Sequence, residues 1–133
     1  MRLLLALWLF GSVAAQVPAT AIIKGTALSS SGSLVVVQIP SSEVDLQWNL
    51  GTVTGSPSLA FTIQPVDPLN TGTSVGSSCA SVSGLGAAGT GEITCFPLQS
   101  SAVAVQWSIS GGSFASAYVT LSIKNPLVTT TGG

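Results

Sequence analysis

The clearest pattern along the chain is an alternation of apolar and polar residues with period two. From Glu43 to Leu50 it is almost unbroken, with Val44, Leu46, Trp48 and Leu50 on one face and Glu43, Asp45, Gln47 and Asn49 on the other. Successive strand residues point to opposite sides of a sheet, so this is a half-buried strand with its carboxylates on the solvent face. Leu59, Phe61 and Ile63 repeat the pattern after a stretch holding Gly51, Gly55 and Pro57. Two alternating runs joined by Gly, Ser and Pro predict a hairpin over Trp48–Ile63, with a bulge near Gly51 where the parity slips at Val53. A weaker copy runs from Trp107 to Ile123, with Ser110–Ser113 as its turn and Ala117, Val119, Leu121 and Ile123 facing inward.

The other segments follow the same reading. Thr20–Leu28 predicts a strand, and the β-branched run Leu34–Ile39 predicts one buried on both faces. Pro65 and Pro68 end the Leu59–Ile63 strand, because proline lacks a ladder donor. Asn70–Thr90, rich in Gly and Ser, predicts a long loop with one short strand near Cys79–Val82, and Gly91–Leu98 carries another around Ile93 and Cys95. Val103, Val105, Trp107 and Ile109 line the next strand. No helical period occurs in this body. Seven or eight short strands predict an antiparallel β-sandwich of Ig-like or jelly-roll topology, with Trp48, Phe61 and Trp107 anchoring its core.

The first 15 residues differ. One Arg, an apolar block Leu3–Phe10 and small residues ending at Ala15 have the three parts of a secretory leader. The block is too short to cross a bilayer, which takes about 20 residues. The alternative is an apolar arm that packs on a neighbouring subunit. The expected division is residues 1–15 as leader or arm, 16–124 as the sandwich and 125–133 as a polar tail.

Composition narrows the function. The chain has 133 residues, a single-domain length. Only seven of them are charged, three positive and four negative. So few cations cannot neutralise a phosphate backbone, which argues against nucleic acid. The apolar fraction of 46% keeps the chain outside the disordered class. A surface of hydroxyls and amides has little repulsion to keep copies apart, and this predicts self-association.

Catalytic chemistry is poorly supplied. There is no His, so neither a Ser/His/Asp nor a Cys/His arrangement can be built. Glu43 and Asp45 lie two apart on one face and could form a glycosidase-type pair, but a solvated outer face explains them better. Asp67, between two prolines, reads as a turn residue. No acidic cluster suits calcium and no phosphate loop precedes a helix, so the sequence calls for no enzyme activity, cofactor or metal. Tyr118 is the main outward aromatic, and a lone ring makes a weak carbohydrate platform. Cys79 and Cys95 are the only cysteines. In an exported chain they would close a loop of about 15 residues, worth on the order of 3 kcal/mol; in a cytoplasmic one they would be buried thiols.

LGTVTGSPSLAFTIQPVDP, Leu50 to Pro68, resembles a segment of small β-sandwich structural proteins of tailed bacteriophages: a strand, a Gly-containing turn with Pro, a strand ending Ile-Gln, then an Asp-bearing loop. VAVQWSISGGSFASAYVTLSIK, Val103 to Lys124, is similar to their closing hairpin. Those proteins usually lack a leader and a disulfide, and the second turn here lacks the Pro. The resemblance implies a non-enzymatic virion component of the decoration, neck or tail type, partnered by copies of itself or by other particle subunits. A secreted or cell-surface sandwich that binds a ligand or forms a filament is the alternative implied by the leader and cysteine pair.

Overall fold

The computed structural model describes residues 19–124, and within them the chain is all-β. The expected leader or arm and the polar tail lie outside the described residues. Eight strands follow in order: β1 Ala19–Leu28, β2 Gly32–Val36, β3 Glu43–Leu50, β4 Val53–Asp67, β5 Asn70–Ser74, β6 Ala80–Leu85, β7 Gly89–Cys95 and β8 Ala102–Lys124. All pairings are antiparallel.

β8 organises the molecule. On one side it pairs with β4, from Ala102↔Val66 to Phe114↔Val53, and then with β3, from Ala117↔Leu50 to Lys124↔Glu43. On its other side it meets β2, Val103↔Val36 to Trp107↔Gly32, and β1, Phe114↔Leu28 to Ser122↔Ala19. β3 and β4 therefore continue one another along β8, and so do β1 and β2. The outer flank repeats the arrangement: β7 runs along β3 and β6 along β4. Four long runs lie side by side, and β5 adds a short hairpin at the end of β4.

Each run is folded over, which turns one sheet into two layers. An unbent strand at 3.3 Å per residue would separate Trp48 of β3 from Phe61 of β4 by roughly 40 Å. Their rings instead stack with centroids 5.3 Å apart. One layer holds β1, the C-terminal half of β8, β3 and β7; the other holds β2, the N-terminal half of β8, β4 and β6. The sandwich core lies between them. Val44, Leu46, Leu59, Phe61, Ile63, Val103, Val105, Phe114 and Val119 are fully buried there, with Trp48 beside them.

This geometry corrects the two expected hairpins. The Gly51–Ser58 and Ser110–Ser113 segments bend the chain from layer to layer without reversing it, because Val53–Ser58 stays paired to Ser110–Phe114. The glycines serve this bend. Gly55 and Gly111 have φ of 77° and 82°, a region costly for residues with a Cβ. A Cβ on Gly111 would come within 2.5 Å of the Ser56 carbonyl oxygen, so the two backbones cross in contact.

The run Leu34–Ile39 also differs from expectation. β2 is an edge strand, and Leu34, Val35 and Val37 are 38%, 39% and 47% exposed. Burial on both faces needs a packed layer over each face, but β2 lies in a two-layer sandwich with one face uncovered, and as an edge strand it pairs with β8 alone among the described residues. The loop expected over Asn70–Thr90 contains β5 and β6, the latter slightly longer than the strand foreseen at Cys79–Val82.

Candidate functional site

The carboxylates were the first candidates for chemistry, and the structure places each in a local network. Asp45 was expected on the solvent face; it is 1% exposed. Its neighbours on the outer face of the layer cover it. Thr94 of β7 donates to Asp45 Oδ1 at 2.7 Å, and Lys124 Nζ of β8 lies 3.1 Å from Oδ2. The hydrogen bond to Asp45 and then its charge, with smaller help from Glu92 and Glu43, raise the Lys124 ammonium above its ordinary value. One step along, Ser122 donates to Gln47, and Gln47 donates to Glu92 at 3.3 Å. Glu43 is half-buried opposite Lys124 in register. These rows tie β8, β3 and β7 together across their outer face. Asp67 behaves as the sequence suggests, accepting from the Leu69 amide at 2.8 Å within the β4–β5 turn.

Cys79 and Cys95 form a disulfide with Cα atoms 5.4 Å apart. Cys79 precedes β6 in one layer and Cys95 ends β7 in the other, so the bond clips together the two ends of a doubled run. Beside it opens a groove of about 440 Å³ lined by Pro65, Val75, Cys79, Phe96 and Pro97, with Phe96 projecting into solvent. The same end of the sandwich is closed by backbone bonds from Ile39 to Ser101 and from Leu98 to Ser42, and by the Ser41 hydroxyl donating to the Lys124 carbonyl. At the β1–β2 bend a second groove of about 380 Å³ reaches the core margin between Ile22, Leu28 and Trp107. Trp107 is half-buried there, and its indole N–H donates to the Ser30 carbonyl at 3.2 Å. It flanks the core that Trp48 and Phe61 fill.

A regularity missed in the sequence concerns three aromatic residues, each lying over a glycine of the adjacent strand. Trp48 covers Gly91, Trp107 covers Gly32 and Tyr118 covers Gly25; a Cβ at these glycines would lie 2.5, 2.8 and 2.6 Å from the ring. The rings take up the space a side chain would fill, and they shield backbone that glycine leaves bare. A search for glycine directly opposite an aromatic residue would have found the Trp48 and Trp107 pairs, but only with the strand register in hand; Gly25 sits at a register shift, next to Lys24, the partner of Tyr118. Tyr118 is exposed, as expected.

Among the described residues no group of three or more His, Cys, Asp or Glu side chains could hold a metal ion, and no helix is long and apolar enough to cross a membrane. What the surface offers is mostly neutral: Ser and Thr hydroxyls, exposed backbone at the strand edges, and apolar side chains at Leu34, Val35, Val37, Leu69, Phe96 and Tyr118, with Lys24 and Glu92 among its few exposed charges. No protein-family model matches the chain, and no curated protein is similar to it at a significant level.

Proposed function

We propose that this protein is a non-enzymatic structural subunit of a virus or phage particle that packs against neighbouring subunits through its β-sandwich. The observation that carries the reading is a two-layer, disulfide-clipped sandwich with only seven charges in 133 residues. One of those charges, Lys124, is held against Asp45. Such a body resists unfolding while presenting a surface with little electrostatic cost to close packing. The phage-like segments Leu50–Pro68 and Val103–Lys124 support it further: together they form most of β4 and β8, the central pair of the sheet. Size-exclusion chromatography and electron microscopy of the expressed chain test the proposal. Association into oligomers or onto particles supports it, and a strict monomer that never joins a particle overturns it.

The disulfide favours a second reading, a secreted or cell-surface sandwich, since such bonds persist in oxidising compartments. Intact mass of the protein from its natural source separates the two. A chain starting at Gln16 that gains two hydrogens on reduction supports export; a chain retaining Met1 with free thiols supports intracellular assembly.

A further inference from the structure

A sheet edge exposes unpaired N–H and C=O groups that another strand can complete, and proteins blunt such edges with charge, proline, bulges or irregular backbone. Three of the outer strands here are treated in this way. β1 carries Lys24, Gly25 at φ 82° and several register shifts. β7 carries Glu92 and the glycines 89 and 91, and β6 has Gly84 at φ 72°. β2 has no charge, proline or positive-φ residue, and its one glycine, Gly32, sits at its first position. It pairs with β8 without a register shift, and no charged residue occurs between Lys24 and Glu43. It is also the edge on which large aliphatic side chains stand exposed on both faces, Leu34 toward the core side and Val35 opposite Ala104 on the outer side.

We propose that the outer edge of β2 is a self-association surface, pairing antiparallel with the same edge of a second copy about a two-fold axis near Val35. This deepens the proposal of a self-packing subunit and rests on it. A second copy is the occupant that fits. A charged or strongly polar chain would meet no complementary group along Ser33–Val37, whereas the segment complements itself. In antiparallel register Val35 meets Val35, Leu34 meets Val36 and Ser33 meets Val37, so residues of like parity share a face. The interface is isologous and closes on itself. It joins β6, β4, β8 and β2 of each copy into one eight-stranded layer, while Lys24 keeps β1 out of the junction. A pair of strands this short buries less than the roughly 1,200 Å² of a stable standard interface. The isolated dimer is therefore weak and concentration-dependent, and gains strength where many copies are held together.

Sedimentation of the full chain over a wide concentration range tests this, comparing wild type with Val35→Lys, Val37→Lys and a control, Asn49→Lys, whose charge sits on the exposed face of β3. Thermal melts confirm that each variant is folded. Wild type and the control should dimerise alike, and each edge variant should associate at least about tenfold more weakly, since Val35→Lys sets two like charges opposite each other at the two-fold axis and Val37→Lys puts a charge on an otherwise uncharged edge. Hydrogen exchange should show amides 33–37 gaining protection as concentration rises. If wild type dimerises and folded edge variants dimerise equally, or protection grows only at another edge, the β2 inference falls while the packing-subunit proposal stands. If wild type stays monomeric and off particles at every concentration, the broader proposal falls and this one with it.

Discussion

Asp45 shows how a single position can escape a correct pattern. The alternation from Glu43 to Leu50 places it on the outer face, and it is there; what alternation cannot convey is that Thr94 and Lys124 close over it from the flanking strands. A buried carboxylate left without these partners carries its desolvation cost uncompensated. Thr94→Val should therefore lower stability by about 1–2 kcal/mol, measured by urea unfolding, and it isolates the hydrogen bond to Asp45. The Lys124 side has a pH signature. Because its folded value is raised, its stabilising contribution is fully present below the ordinary lysine value of 10.5 and is lost as pH rises through the raised one. The Tm difference between wild type and Lys124→Met should accordingly shrink at strongly alkaline pH and stay constant near neutrality. The aromatic–glycine pairs give a sharper test. Gly91→Ala should cost about 1–3 kcal/mol because its methyl meets the buried Trp48 ring. Pairing it with Trp48→Leu should give a loss smaller than the sum of the two single changes, the mark of direct contact.

At the scale of elements, most of the strands were legible, β5 being the one lost in an expected loop, and their connections were not. Alternation identified β3, the second half of β4 and both halves of β8, since each has one face in the core. Gly and Pro correctly marked places where the chain changes direction, but a two-layer bend and a hairpin use the same residues. They differ in which strand lies opposite, and that depends on partners some 60 residues distant, such as Gly55 and Gly112. Likewise the LVVVQI run revealed a strand but not that it lies at an edge. The bend predicts a severe local penalty: Gly111→Ala should destabilise by about 2 kcal/mol or more, from the positive φ together with the approach to Ser56, as read from denaturant midpoints. The disulfide was one of two readings open for Cys79 and Cys95. Replacing both with Ser should cost about 3 kcal/mol for a loop of this length, again by urea unfolding, and should raise hydrogen exchange at the ends of β6 and β7 before the β3–β8 pair is affected.

For the whole molecule, the low charge and all-β class were apparent from composition and periodicity, and they lead to a neutral body suited to packing. That β2 lies at an exposed edge was beyond a one-dimensional pattern, because it is settled only when the full strand order is known. That order has a consequence for how the protein is made. β1, β2, β3 and β4 all find their central partner in β8, the last of the described strands, so the sandwich has no inner layer pair until residues beyond Ala102 have emerged. Contacts this distant in sequence make folding slow, in the millisecond-to-second range typical of β-sandwiches. During synthesis the uncharged Leu34–Ile39 segment waits without its native neighbour, in the state where such segments are most prone to join the wrong chain. A chain truncated before β8 should therefore accumulate as aggregate where the full chain is recovered soluble, as separation of the soluble and pelleted fractions after expression would show.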